Sequence, residues 1–309
     1  MKKNTFLLIF MFFLLPAMFA ECAETTWDKL NSEFLQYYQQ NRYKEAAQTG
    51  EMALKLAEEA FGKDNAYVAE SLSNLALLYD TQGQYKLAEN YYQRALSAME
   101  KSFGVEHIKV AILLNDFGSF YSSKGKTGLA EPLYKRALVI FEKNNNLDTL
   151  EGAMLLCNMG EFYKFKSNYK QSLSMFKRGL LAWEKIIGPQ SYEAAYTLNN
   201  MGLIQVYLSH YKDAELSYKR AIAIWEKVRG KDCPEIAQAA NNLGLVYYNQ
   251  GKYDDAERLF LSSLKMRQKI YGQEHPEVIA VVENLRQLYK RMGKKEELKS
   301  MDELMKRNS

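Results

Sequence analysis

Histidine and cysteine are scarce in this sequence, and their spacing gives no catalytic or metal-binding pattern. The chain of 309 residues contains three residues of each type: His107, His210, His275, Cys22, Cys157 and Cys233. None of them forms a His-x-x-x-His or Cys-x-x-Cys pair, the spacings that place two metal ligands side by side. The sequence also contains no glycine-rich phosphate loop and no nucleophile motif. We therefore expect no catalytic residues, no metal site and no cofactor.

Asparagines form the more regular set of polar residues. Asparagine or aspartate recurs every 42 residues, at Asn74, Asp116, Asn158, Asn200, Asn242 and Asn284. Such uniformity favours a hydrogen bond between neighbouring elements, so we predict a structural role for Asn74, Asn158, Asn200 and Asn242. The column one residue earlier varies, with Ser73, Asn115, Cys157, Asn199, Asn241 and Glu283. Specificity for a partner is expected in the column that varies.

The interval of 42 residues runs along nearly the whole chain. Stepping back from Tyr253 by this interval reaches Tyr211, Tyr169, Thr127, Tyr85 and Tyr43. Nine residues before these landmarks lie Ala76, Gly118, Gly160, Gly202 and Gly244, small residues that mark a close approach of two backbones. We predict a structural role for the four glycines. Self-similarity at a fixed period of 20 to 50 residues is the signature of a solenoid.

Each repeat reads as two antiparallel helices. Apolar residues such as Leu198, Met201 and Ile204 recur at three- and four-residue intervals, which is one face of a helix. A short polar break follows, and then a second run of the same period. Gly62, Gly104, Asn146, Gly188, Gly230 and Gly272 come after the second helices. These residue types tolerate the left-handed conformation that ends a helix. His107 and His275 both precede a first helix, which indicates a shared structural role there.

The motifs NQGKYDDAERLF and YGQEHPEVI show a resemblance to a known family. The order of small residue, Gly-x-Tyr break, Ala-Glu and aromatic residue resembles the tetratricopeptide repeat, and the longer period resembles its kinesin-light-chain type. The resemblance implies an all-α, right-handed solenoid of about seven helix pairs. It covers residues 27–309 as a single domain, with residues 294–309 as a C-terminal capping helix. It also implies partners that belong to a larger assembly.

Residues 1–23 differ from everything that follows. Lys2 and Lys3 precede an apolar run from Phe6 to Leu15, and small residues follow. This pattern is typical of a secretory signal peptide, and the run is shorter than the roughly 20 residues that span a membrane. We expect cleavage after Ala20 or Ala23 and a periplasmic or secreted protein. The alternatives are an uncleaved N-terminal membrane anchor and lipidation at Cys22.

The first helices provide the candidate binding surface. In a stack of helix pairs they line the concave side, where one stripe of each helix faces a ligand. The predicted binding residues on this stripe are Asn115, Tyr196, Asn199, Leu203, Tyr207, Gln238, Asn241, Leu245 and Tyr248. Asparagine amides among aromatic and aliphatic groups are suited to an extended peptide. We therefore expect a protein or extended peptide as the partner.

The net charge of +4 limits the other function classes. Charge this close to balance does not predict nucleic-acid binding, and no small-molecule substrate is expected. The leading hypothesis is an exported, non-catalytic scaffold that binds protein or peptide on its concave face. An envelope-anchored assembly factor that binds through its edges or convex face is the alternative. An enzyme acting on peptide or cell-wall material would need a buried carboxylate pair or a metal site. The oligomeric state stays open.

Overall fold

The computed structural model describes the backbone of residues 2 to 307 and the side chains of residues 21 to 306. The described backbone forms fourteen α-helices and no β-strand. The helices belong to two compact units, which divide between Asn146 and Leu147. The all-α prediction is therefore confirmed for the part of the chain that the structure describes.

The first unit contains three helix pairs. Its helices are α1 (Lys2–Gln39), α2 (Tyr43–Phe61), α3 (Ala66–Thr81), α4 (Tyr85–Phe103), α5 (Ile108–Ser123) and α6 (Thr127–Lys143). Each helix packs against the next, and α1 also touches α3. The predicted signal segment belongs to α1, but the side chains of residues 1 to 20 lie outside the described residues.

The second unit contains four helix pairs. Its helices are α7 (Leu150–Phe165), α8 (Tyr169–Ile186), α9 (Tyr192–Tyr207), α10 (Tyr211–Arg229), α11 (Pro234–Asn249), α12 (Tyr253–Tyr271), α13 (Pro276–Met292) and α14 (Lys295–Arg307). The odd-numbered helices are the first helices of their pairs, and the even-numbered ones are the second. Because α9 touches α11 and α11 touches α13, these first helices lie side by side. The predicted number of seven pairs is confirmed.

Glycine and an aromatic ring hold the two helices of a pair together. Each of four glycines lies against the aromatic residue sixteen positions later: Gly118 on Tyr134, Gly160 on Phe176, Gly202 on Tyr218 and Gly244 on Phe260. A Cβ atom added at Gly244 would lie 2.6 Å from the Phe260 ring. The rings are fully buried. A side chain at these glycines would therefore force the helices apart, because protein interiors are close-packed.

Five of the first helices are capped by the residue before them. The side chain of this residue accepts a hydrogen bond from a backbone amide of the first turn at Asn65, His107, Thr149, Ser191 and His275. Cys233, before α11, makes no such hydrogen bond. The predicted structural role of the two histidines is confirmed, since Nδ1 of His107 and of His275 each accepts from the amide two residues later at 3.2 Å. Capping satisfies amides that have no partner inside the helix.

The turns after the second helices depend on glycine. Gly62, Gly104, Gly230 and Gly272 combine φ angles between 81° and 91° with ψ angles between 153° and 175°. This region is accessible almost only to glycine. The assignment of Asn146 to the same role was wrong. In that repeat α6 ends earlier, at Lys143, and Asn145 takes the positive φ of 54°. Asparagine tolerates the left-handed region but not the extended ψ of the glycine turns.

Ion pairs link successive second helices at a constant spacing. Arginine pairs with the glutamate 36 residues earlier in Arg94–Glu58 (3.1 Å), Arg136–Glu100 (2.6 Å) and Arg220–Glu184 (2.6 Å). All six side chains are partly exposed, and such pairs contribute about 0 to 1 kcal/mol each. The pairs therefore contribute little to the stability of the stack.

Candidate functional site

The predicted binding residues of the second unit lie at different depths. We call the side of this unit formed by α7, α9, α11 and α13 the first-helix face. Tyr196 (48% exposed) and Tyr207 (54% exposed) project from it, and Gln238 is exposed as well. Leu203, Leu245 and Tyr248 are half-buried. The tyrosines and the glutamine are therefore directly open to a ligand.

The three asparagines of the predicted site are buried. Asn199 is 6% exposed, and Asn115 and Asn241 are also buried. The Asn241 Oδ1 atom accepts a hydrogen bond from Asn284 at 2.8 Å. Asn115 belongs to the first unit, where its Nδ2 atom donates to Asp116 at 3.3 Å. In this state the asparagine amides face the protein rather than solvent.

The uniform asparagine column contains hydrogen bonds between neighbouring first helices. Asn74 Nδ2 donates to Asn31 Oδ1 at 2.6 Å, from α3 to α1. Asn284 makes the equivalent bond to Asn241, from α13 to α11. The other asparagines of this column are Asn158 and Asn242, which are half-buried, and Asn200, which is buried. At both ends of the column the amide thus connects adjacent repeats.

A column of buried side chains on the second helices of both units was missed by sequence reasoning, and two of its members, Trp183 and Arg267, line pockets of the first-helix face. Its members, spaced by 42 residues, are Ala57, Met99, Phe141, Trp183, Trp225 and Arg267, and all of them are buried. Trp183 Nε1 donates to Cys157 Sγ at 3.3 Å, from α8 to α7. Such large changes of side chain at one repeat position were the signal that could have revealed it.

Trp183 lies at the base of a pocket in the first-helix face. This Trp183 pocket has a volume of about 270 Å³ and is lined by Met154, Cys157, Asn158, Trp183, Tyr192, Glu193, Tyr196 and Thr197. Helices α7, α8 and α9 supply these residues, so the pocket opens between two adjacent first helices. Of its lining residues only Tyr196 was among the predicted binding residues.

Arg267 forms the floor of a second pocket, of about 250 Å³, on the same face. Its guanidinium donates to the backbone carbonyl of Glu277 at 2.7 Å and also pairs with the Glu277 carboxylate. Desolvation by burial lowers the pKa of Arg267 from its ordinary value. Gln238, a predicted binding residue, lines this pocket too. The arginine is therefore already neutralised by its own chain.

The first unit has a pocket of its own, of about 290 Å³, at the first helices α1, α3 and α5. Asp116 lines it, together with Glu70 and Lys109, which pair with each other. Asp116 retains exposed surface at the pocket, yet the surrounding protein desolvates its carboxyl group and raises its pKa to about 6. The donor from Asn115 acts in the opposite direction.

A larger surface cavity shares no lining residue with these pockets. It has a volume of about 870 Å³ and follows the turns between first and second helices in the second unit. Lys212, Asp213, Glu215 and Lys252 contribute to its charged lining. Lys252 lies 3.8 Å from Glu215, so part of this charge is paired. We do not assign binding to it, because its wall consists of turn residues and surface charges.

The described residues contain neither a metal-binding cluster nor a membrane-spanning helix. No group of three or more histidine, cysteine, aspartate or glutamate side chains there could hold a metal ion. No described helix combines the length and apolar character needed to cross a membrane.

Stacked antiparallel helix pairs with a grooved first-helix face define a helical-repeat protein. A sequence model of the tetratricopeptide repeat matches residues 35–101, 81–143 and 151–227, and a second tetratricopeptide repeat model matches residues 236–277. These matches cover more than half of the chain, which therefore belongs to the tetratricopeptide repeat family. No curated protein sequence matches it significantly.

Solved structures show the same fold. BtubC (BKLC) from P. vanneervenii is 21% identical over 79% of this chain and 92% of its own, with a TM-score of 0.63. PilW, a widely conserved type IV pilus biogenesis factor, is 15% identical over 83% and 98%, with a TM-score of 0.62. The repeats of a Podosopora anserina chain named as a kinesin light chain are 14% identical over 65% and 95%, with a TM-score of 0.58. The predicted resemblance to kinesin-light-chain repeats is confirmed.

Proposed function

We propose that this chain is an exported scaffold that binds a protein or an extended peptide on the first-helix face of its second unit and has no catalytic activity. The observation that carries this proposal is the exposure of Tyr196 and Tyr207 on the face that contains the Trp183 pocket. Aromatic residues are enriched in protein interfaces, and exposed apolar groups beside a pocket are typical of interaction sites.

We assign the first contacts with the ligand to the exposed residues of the first-helix face. Tyr196, Tyr207 and Gln238 meet the ligand, and the half-buried Leu203, Leu245 and Tyr248 supply apolar walls. A ligand would have to draw the amides of Asn199 and Asn241 out of the interior before they could bind it. The same holds for Asn115 in the first unit. We therefore assign Asn199 and Asn241 a secondary role in recognition, whereas Asn115 lies outside the proposed face.

Export and the lack of catalysis rest on sequence and family. Residues 1–23 have the pattern of a signal peptide, which would deliver residues 27–309 to the periplasm or the exterior. Tetratricopeptide repeat proteins are generally scaffolds without catalytic activity, and a shared fold by itself implies no particular reaction.

A second candidate function is that of an envelope-anchored assembly factor which binds through its second helices. Leu181 on α8 and Leu216 on α10 are 66% and 69% exposed. Neither leucine lines the Trp183 pocket, and exposed leucines of this kind favour a separate contact surface. PilW, whose fold is similar, is described as a pilus biogenesis factor. The two candidates therefore predict different surfaces.

A capture experiment with surface variants separates the two candidates. The full chain and two double variants would be used as bait against an extract of the native cell envelope. Loss of a specific partner with Tyr196→Ala/Tyr207→Ala, but not with Leu181→Ala/Leu216→Ala, would support the first-helix face. The reverse result would favour the assembly factor. Circular dichroism of each variant would establish that it is still helical.

A further inference from the structure

The chemistry of the Trp183 pocket is more specific than that of a general apolar groove. Aromatic rings from Trp183, Tyr192 and Tyr196 and the thioether of Met154 line it, together with the side chain of Glu193. Trp183 is held in place by its hydrogen bond to Cys157. Aromatic faces attract a cation through the ring quadrupole, and a carboxylate beside them attracts it by charge. The pocket thus combines both attractions.

Glu193 is available for such a contact. The second position of four first helices is a glutamate: Glu151, Glu193, Glu235 and Glu277. At this position the positive end of the helix dipole stabilises a negative charge. Two of them already have partners: Glu235 accepts from the Tyr192 hydroxyl at 2.9 Å, and Glu277 pairs with Arg267. Among the described residues, the carboxylates of Glu193 and Glu151 have no hydrogen bond and no ion pair. The helix dipole explains why glutamate recurs at this position, but the carboxylates of Glu151 and Glu193 have no cationic partner.

The position of Glu151 extends the negative region to the mouth of the pocket. Glu151 lies three residues before Met154 on α7, so the two side chains occupy neighbouring positions on one helix face. Glu193 lies three residues before Tyr196 on α9 in the same way. Met154 and Tyr196, the two most exposed wall residues of the pocket, are therefore each accompanied by an unpaired carboxylate one turn away.

The chain itself contains a cation that stacks on one ring of this pocket. The guanidinium carbon of Arg229 lies 5.7 Å from the centroid of the Tyr192 ring. Arg229 is exposed and belongs to α10, outside the residues that line the pocket. One wall of the pocket is thus already in contact with a guanidinium group, which leaves the rings of Trp183 and Tyr196 for the ligand.

We propose that the Trp183 pocket binds the side chain of a lysine or arginine in an extended peptide segment of the partner. This inference rests on the proposed function, because it names the chemistry that the first-helix face recognises. A pocket of about 270 Å³ is smaller than the roughly 300 to 1,000 Å³ of small-molecule sites and suits a single long side chain. Glu193 and the rings of Trp183 and Tyr196 bind the charged end, and Met154 packs on the aliphatic part.

Nuclear magnetic resonance of the indole N–H groups provides a direct test. The sequence contains three tryptophans, Trp27, Trp183 and Trp225, so the full chain gives three indole signals, with Trp183 assigned from Trp183→Phe. The probes are blocked pentapeptides Gly-Ser-X-Ser-Gly, in which X is lysine, arginine, norleucine or glutamate. We expect the lysine and arginine peptides to shift the Trp183 signal, with affinity about fivefold above that of the norleucine peptide, which corresponds to about 1 kcal/mol.

Matched variants identify the groups responsible. Glu193→Gln and Tyr196→Leu are expected to weaken lysine peptide binding about fivefold each, whereas Tyr196→Phe, which keeps the aromatic face, retains it. Glu226→Gln, an equal charge change at an exposed position of α10, is the control and leaves binding unchanged. Equal binding of norleucine and lysine peptides would overturn the proposal, because it would show that the pocket recognises an apolar side chain and not its charge. So would the absence of any Trp183 shift at about 10 mM peptide, because even a Kd of about 1 mM would nearly saturate the pocket at that concentration.

The failure of this inference can be distinguished from failure of the proposed function. If Tyr196→Ala/Tyr207→Ala abolishes capture of the partner while Glu193→Gln leaves it intact, the first-helix face binds the partner but does not recognise a cation. If neither variant affects capture, the proposed function fails as well.

Discussion

Trp183 Nε1 donates a hydrogen bond to Cys157 Sγ over 3.3 Å, so a second helix contributes directly to the surface between two first helices. One repeat later, Trp225 and Asn199 occupy the equivalent positions. There the indole Nε1 and the amide Oδ1 are buried and have no hydrogen-bond partner among the described residues. The same scaffold position therefore has a different chemistry in adjacent repeats.

Cys157 and Cys233 should react slowly with thiol reagents. Burial raises the pKa of both thiols, so less of the reactive thiolate is present at neutral pH, whereas Cys22 is exposed. Treatment of the full chain with iodoacetamide at about pH 7.5, followed by peptide mass spectrometry, should show Cys22 labelled at least about tenfold faster than the other two.

Two controls accompany the labelling experiment. In denaturant all three cysteines should react at similar rates. Trp183→Ala should accelerate labelling of Cys157 and leave Cys233 unchanged, because Cys157 would lose the indole that donates to its sulfur. Equal labelling of Cys157 and Cys22 in the folded wild-type chain would show that the pocket floor is open.

The sequence predicts the fold well because each weak local pattern recurs at the same interval in several repeats. The glycines at 118, 160, 202 and 244 stand out only through their common period, and each turns out to touch a ring sixteen residues later. Helix number and pairing follow from the same spacing. The departure at Asn145 could not be foreseen. Only the backbone shows that the glycine turns of the other repeats have an extended ψ, which asparagine does not tolerate at positive φ.

The site was predicted less completely, for a physical reason. The stripe of a helix on which a side chain lies predicts which way the side chain points but not how deeply it is buried. The burial depends on how much of the side chain the neighbouring helix covers. Asn199 and Tyr196 belong to the same predicted stripe, yet one is buried and the other is about half exposed. The sequence pattern also places Trp183 in the core of a second helix, which hides its contact with the first-helix face.

Gly244→Ala should destabilise the chain by about 1 to 3 kcal/mol, the usual cost of overpacking a core. The added Cβ would lie 2.6 Å from the Phe260 ring, which is fully buried and has little room to move. Urea unfolding followed by circular dichroism would measure the change. Gly128→Ala is the control: nothing lies within 4 Å of its added Cβ, and Gly128 lies in the first turn of α6, so this variant should not be destabilised. A neutral Gly244→Ala would mean that α11 and α12 are not tightly packed.

Ser209→Gly should stabilise the chain by about 1 kcal/mol, because Ser209 has a φ of 60° and an L-residue in the left-handed region costs roughly that amount. The equivalent residue of the next repeat is already glycine, Gly251, with a φ of 75°. Gly251→Ala should accordingly destabilise. Thermal unfolding of both variants would test the pair, and a destabilising Ser209→Gly would contradict the strain that we infer from this turn.

Asp116 should make the first unit less stable as pH rises from about 4 to about 6. The folded chain raises the pKa of Asp116 to about 6, whereas the unfolded value is about 3.9. In this window the folded state binds the proton more tightly, so its stability falls with rising pH and remains low above pH 6. Asp116→Asn should remove this dependence and be more stable than the wild type at pH 7, but not at pH 4.

Glu89→Gln gives the control with the opposite sign in the same unit. Hydrogen bonds from Tyr121 (2.9 Å) and Lys126 (3.1 Å) hold the pKa of Glu89 below its ordinary value. The ionised Glu89 therefore stabilises the fold above about pH 4, and its contribution is lost as pH falls through the lowered pKa. Urea unfolding of both variants between pH 4 and pH 7.5 should thus show opposite shifts at pH 7. If Asp116→Asn follows the wild-type pH profile, the carboxyl group of Asp116 is solvated and the pocket around it is open.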